Sequence, residues 1–134
     1  PLVALIDAGE PDHDLCRGAL GNLSGPMLIT WPVFTEAMYL LGDAGGWRAQ
    51  RALWALLTRG DIEIVELAPD SVDRSRSLME KYSDTPMSLA DATLVAVAEH
   101  LRLKRIFTLD SDFDVYRVRG RQRFVRIPSD SEIS

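Results

Sequence analysis

The chain has 134 residues, about the length of one ordinary domain, and can bury roughly two-thirds of its unfolded surface without a disulfide or structural metal. Its 46% hydrophobic and 26% charged content excludes disorder, collagen and coiled coil, and its single cysteine, Cys16, excludes an internal disulfide and a multi-cysteine zinc site and fits a reducing, cytoplasmic setting. Apolar runs such as Pro1 to Ile6 are far too short to span a bilayer and no secretory signal is visible, so no membrane partner is expected.

In chain order, Pro1 to Ile6 reads either as a buried strand or as a short apolar helix with proline in its first turn. Asp12 to Leu20 predicts a helix closed by Gly21-Asn22, and Met27 to Thr30 a short strand after the Ser24-Gly25-Pro26 turn. Pro32 opens a helix through Leu41. Gly42 to Gly46 breaks it, and Trp47 to Leu57 resumes until Gly60. Ile62, Ile64 and Val65 mark a strand, followed by a polar amphipathic helix from about Pro69 to Tyr82. Leu89 to Leu101 is apolar on nearly every side and predicts a buried helix. Arg105 to Thr108 and Phe124 to Ile127 are short strands. Short β-branched strands between helices predict an α/β three-layer sandwich around a mostly parallel sheet, whose chemistry gathers beyond the carboxyl ends of the strands.

Net charge is −5, yet Arg102 to Arg126 holds eight basic and three acidic residues, against seven basic and seventeen acidic elsewhere. An acidic body beside an arginine-rich region suits a polyanion approaching a carboxylate cluster. The alternative is an edge strand whose arginines merely solvate its exposed face.

Several carboxylates occupy unusual positions. Glu36 shares a helix face with Val33 and Leu40, where a charge is costly unless paired, coordinated or half-solvated near the helix start. Asp91 opens the buried helix, and Ser88-Leu89-Ala90-Asp91 has the spacing of a capping box, so it reads equally as a cap. Asp110, Asp112 and Asp114 alternate just after a strand. That spacing is not an EF-hand, because a calcium loop would need glycine at its sixth position and glutamate where Arg121 stands. Clustered carboxylates repel unless a cation neutralises them, and oxygen donors without cysteine or paired histidine select Mg²⁺ or Mn²⁺. His13 and His100 have no ligand spacing and read as ordinary surface or packing residues. Acids with a divalent metal beside a basic strip point to phosphodiester hydrolysis.

Four segments resemble the PIN-domain family, and within it the VapC-like toxin ribonucleases of bacterial toxin–antitoxin pairs. They are Pro1-Leu2-Val3-Ala4-Leu5-Ile6-Asp7 with Pro11-Asp12-His13, then Thr35-Glu36-Ala37, Pro86-Met87-Ser88-Leu89-Ala90-Asp91-Ala92, and Thr108-Leu109-Asp110-Ser111-Asp112-Phe113. The last two are the most specific, and the resemblance covers nearly the whole chain. It implies one domain over residues 1–134, a compact α/β/α fold, and a metal-dependent endoribonuclease that is usually a homodimer. An acidic quartet would hold one or two Mg²⁺ or Mn²⁺ ions: Glu36, Asp91 and Asp110 as catalytic members, with Asp112 a supporting or alternative ligand. Thr108 would orient a carboxylate or water. Ser88 stands where relatives often carry aspartate, a charge for which Asp84 partly substitutes. RNA is the implied substrate, with Arg117 and Arg119 on its backbone, and a small antitoxin the implied protein partner.

The resemblance also resolves Pro1 to Asp7 as helix, and places the family's first acid and first strand upstream of Pro1. Exposed apolar surface on Trp47, Leu53 and Trp54 is a candidate for the antitoxin or dimer contact, or simply for helix packing. A degenerate PIN domain that binds RNA or protein without cleaving is the rival reading. A phosphoacceptor receiver domain is excluded, since it needs a lysine near its last strand and none follows Lys104.

Overall fold

The computed structural model describes residues 25–85 and 87–102 in full, together with the backbone of strands at 105–107, 117–118, 122–123 and 125–127. The readings of Pro1 to Ile6 and Asp12 to Leu20 lie outside these residues. Strand β1 (Met27–Ile29) buries Met27 and Ile29 and pairs in parallel with β2 (Ile62–Ile64), in the register Met27↔Ile62, Leu28↔Glu63 and Ile29↔Ile64. Bonds from Met27 N–H to Asp61 O (3.0 Å) and from Val65 N–H to Ile29 O (2.8 Å) extend the ladder at both ends.

A parallel pair needs a long crossover, and helix α1 (Trp31–Arg59) supplies it by running out and folding back. The expected break over Gly42 to Gly46 narrows to Gly46, where φ 63° and ψ −154° are open only to glycine. Gly42 and Gly45 stay helical. Gly42 instead permits close packing: a Cβ there would overlap the Gln50 amide, whose Nε2 donates to Met38 O at 3.2 Å across the hairpin. Phe34 meets Trp54 edge-on, with ring centroids 5.0 Å apart, at the open end of the same hairpin. Gly60, left-handed at φ 84°, returns its amide to the Leu56 and Leu57 carbonyls and releases the chain into β2.

Helix α2 (Pro69–Lys81) is the polar amphipathic helix expected, with Leu78 buried and Ser75 satisfied by its bond to Ser71 O at 2.8 Å. Helix α3 (Leu89–Leu101) is buried from Ala92 through Ala98 except for the half-buried Leu94, while Leu89 and Leu101 at its ends are exposed. Its alanines let α2 approach closely. The Arg74 guanidinium then reaches across to Glu99 in a forked pair, Nε to Oε2 at 2.9 Å and a terminal nitrogen to Oε1 at 3.1 Å. That hydrogen bond raises the Arg74 pKa against the opposing effect of burial. A raised basic pKa stabilises the fold at all pH below the group's ordinary value, and the contribution fades only in strong alkali.

Strand β3 (Arg105–Phe107) pairs in parallel with β6 (Val125–Ile127), and β4 (Arg117–Val118) pairs antiparallel with β5 (Gln122–Arg123). The β4–β5 hairpin places Arg117 opposite Arg123 in register. Of the sequence expectations only the arginine-bearing edge strand reaches this segment; its antiparallel partner at Gln122–Arg123 was not expected.

Among the described residues, apolar side chains gather in two cores. One lies under the α1 hairpin on β1 and β2 and includes Ile29, Phe34, Leu41, Leu53 and Ile62. The other lies between α2 and α3 and includes Leu78, Tyr82, Met87 and Val95. Thr30 and Thr93 join them, with hydroxyl oxygens 2.7 Å apart and exposures of 0% and 1%. No helix among the described residues is long and apolar enough to cross a membrane.

Replacing Gly46 by alanine forces an L residue into a glycine-only conformation and is expected to lower the urea-unfolding free energy by about 1–3 kcal/mol. Gly42→Ala should cost far less, since the end of the Gln50 side chain can swing aside and alanine gains about 1 kcal/mol of helix propensity.

Candidate active site

Glu36 lies in the second turn of α1 and is exposed, as is Leu40 one turn on; Val33 is half-buried. Of the two settings the sequence leaves open for Glu36, the solvated one near the helix start holds, because the helix turns this face to solvent. No ion pair among the described residues reaches it.

Asp91 is half-buried in the first turn of α3. The Ser88 N–H donates to Asp91 Oδ2 at 3.3 Å, and the Asp91 N–H donates to Ser88 Oγ at 3.1 Å. Both halves of a capping box are thus present. The cap fixes the carboxylate at the positive end of the helix dipole, where an anion is favoured. Capping and ligation are compatible roles, since a carboxylate has two oxygens and several lone pairs. Asp84 is exposed in the turn after α2, and Ser88 is exposed as the N-cap.

Asp110, Asp112, Thr108 and Arg119 lie outside the described residues, and Arg117 is described only as a backbone position in β4. Among the described residues, no three histidine, cysteine, aspartate or glutamate side chains form a metal-sized group. The two described candidates, Glu36 and Asp91, sit on helices α1 and α3, which pack on each other. The donor set is all carboxylate, which suits a hard divalent cation such as Mg²⁺ or Mn²⁺.

Two residues were missed in the sequence: Thr30 and Thr93. Thr93 donates to Ala90 O at 2.8 Å. Its single proton is thereby committed, so the Thr30 hydroxyl donates to Thr93 Oγ1. The available signal was Thr93 itself, the one hydroxyl within the apolar stretch Ala92 to Ala98.

The chain's three tryptophans, Trp31, Trp47 and Trp54, all lie on the α1 hairpin, 46%, 63% and 42% exposed. Leu53, expected to share that surface, is 0% exposed and belongs to the core. Its turn of the helix faces β1 and β2, a correction that follows from helical periodicity. Exposed Arg48 and Arg51 interleave with Trp47 and Trp54, and neither has a carboxylate partner among the described residues.

The family model for the PIN domain matches residues 1–118. Ribonuclease VapC26 of Mycobacterium tuberculosis (strain ATCC 25618 / H37Rv) is 30% identical over 128 residues, spanning 95% of this chain and 95% of its own. The crystal structure of Mycobacterium tuberculosis VapC20, described as a Sarcin-Ricin loop cleaving toxin, superposes with a TM-score of 0.78 over 85% of this chain and 88% of that one. At 21% identity that likeness speaks for the fold, an α/β sandwich with parallel strand pairs and packed helices. With the family model and the near full-length relative in agreement, the chain belongs to the PIN-domain family.

Proposed function

We propose that this protein is a metal-dependent endoribonuclease, the toxin of a toxin–antitoxin pair, hydrolysing RNA phosphodiester bonds in the cytoplasm. The observation that carries the reading is the near full-length similarity to Ribonuclease VapC26, joined to two acids of the expected motifs at the starts of packed helices.

Glu36, Asp91 and Asp110 would hold Mg²⁺ or Mn²⁺, with Asp112 in support. When bound, the ion supplies a water of lowered pKa and neutralises charge developing on the phosphate. The protein's own contribution is placement. The Ser88–Asp91 cap holds one carboxylate in a fixed rotamer, and the exposed Glu36 side chain leaves an open approach for substrate. Thr108 would orient a carboxylate or water, Asp84 would add outer negative charge, and Arg117 and Arg119 would hold the RNA backbone.

An antitoxin and a second copy of the chain are the proposed protein partners. For the antitoxin, the tryptophan face of α1 is the contact this reading favours. Half-exposed indoles beside Arg48 and Arg51 complement a segment carrying both acidic and apolar side chains. A symmetric self-contact there would instead oppose like charges.

Asp91→Asn keeps an oxygen that accepts from the Ser88 amide, so the far-UV CD spectrum should be unchanged while Mg²⁺-dependent RNA cleavage falls by about a hundredfold or more. Full activity in this variant removes Asp91 from the mechanism. Mn²⁺ titration of the active protein should show saturable binding; a degenerate domain would bind the ion weakly or not at all. Ser88→Ala keeps the backbone N–H that holds Asp91 Oδ2 and loses only the hydroxyl, so it should cost about 0.5–2 kcal/mol of stability, measured by urea unfolding, and leave cleavage largely intact. Trp47 makes no ring contact among the described residues, so Trp47→Ala combined with Arg51→Glu should weaken antitoxin binding in calorimetry by about tenfold or more without changing the melting temperature.

A further inference from the structure

Thr30 occupies the N-cap of α1, where a threonine hydroxyl ordinarily accepts a bond from an amide of the helix's first turn. Here it makes no such bond. One usual donor is missing because Pro32, the second helical residue, has no N–H. The hydroxyl turns inward and donates to Thr93, 63 positions away in sequence, and the Thr93 hydroxyl in turn donates to Ala90 O. Both side chains are buried in otherwise apolar surroundings. Hydroxyls here add nothing to the packing of the two cores that valine would not supply, and the helix forgoes its cap. What the pair does is fix one point of α1 against one point of α3.

Each of those points lies near one carboxylate along its own helix. Thr30 precedes Glu36 on α1, about 9 Å along the helix axis. Ala90, the acceptor at the end of the relay, is the residue directly before Asp91. We propose that the Thr30–Thr93–Ala90 hydroxyl relay is a positioning device that sets the start of α3, and with it Asp91, against the helix bearing Glu36, so that the two carboxylates serve one cation. This rests on the nuclease reading. Neither threonine touches the reacting atoms; both act through the backbone of the helices that carry the acids.

The experiment uses the full chain with Thr93→Val, Thr93→Ser, Thr30→Val and the double variant T30V/T93V. Mn²⁺ affinity is measured by calorimetry without RNA, and kcat and KM on an RNA substrate. Thr93→Val is expected to weaken Mn²⁺ binding and lower kcat by about tenfold or more, the range typical of outer residues that orient ligands, with KM for RNA unchanged. Thr93→Ser restores both values, because it keeps the relay. Thr93→Val strands the buried Thr30 hydroxyl without its acceptor. If that variant fails to fold, Thr30→Val and the double variant decide the matter, since they leave no hydroxyl unpaired and must show the same loss of affinity and kcat.

Unchanged Mn²⁺ affinity and kcat in a folded variant without the relay overturn the proposal, as does failure of Thr93→Ser to restore them. A parent protein that neither binds Mn²⁺ nor cleaves RNA overturns the nuclease reading itself, and the positioning role with it. A parent that does both, beside a silent Thr93→Val, sinks only the positioning role.

Discussion

The hydrogen bond between Thr30 and Thr93 is the point at which two separately packed halves of this domain are held in register. On one side, the α1 hairpin closes over β1 and β2. On the other, α2 and α3 bury a core of their own, reinforced by the Arg74–Glu99 fork. Apolar contact where α1 meets α3 is non-directional and tolerates sliding. A buried hydroxyl pair does not, because displacement by even an ångström leaves a polar group unsatisfied in a low-dielectric setting. Among the described residues no buried side-chain polar atom lacks a partner, so the interface admits its polar groups only in the arrangement that satisfies them.

That constraint matters because the acids are few and spread along the chain. Asp91 is fixed locally: its cap with Ser88 would hold its rotamer in an isolated helix as well as in the folded domain. Glu36 has no local partner of this kind among the described residues and projects from a solvent-facing turn. A capped carboxylate and an exposed one can share a cation only if the helices beneath them keep a fixed offset. The glycine-only turn at Gly46 and the close approach at Gly42 serve the same end, since they fix how the second half of α1 folds back and so where its first half lies on the sheet.

The hairpin has a second consequence. Phe34 is buried between Trp31 and Trp54, with edge-on contacts at centroid distances of 5.7 and 5.0 Å, while both indoles remain nearly half exposed. An aromatic cluster that packs its middle ring and presents its outer ones is rigid and apolar at once. Those are the properties of a surface prepared to bind with little loss of side-chain entropy.

Much of this was legible in the sequence. The strand at Met27, the helices at Pro69 and Leu89, the strands at Ile62, Arg105 and Val125, and the capping box at Ser88 all follow from local rules: alternation, helical periodicity, and the reach of a side chain over three residues. The family resemblance was legible too, because its motifs are short and contiguous. Three features were not. Leu53 looked like surface but is core, Glu36 was open between an apolar and a solvated setting, and the Thr30–Thr93 bond gave no sign of itself. Each is a question of which face of an element meets another element. Periodicity says that a face exists, and only packing between distant segments decides what covers it. Residues 63 positions apart acquire their relation when the chain closes on itself. The sequence determined the elements and the kinds of residue available for chemistry; the tertiary structure decided which of those residues are held, which are exposed, and what holds them.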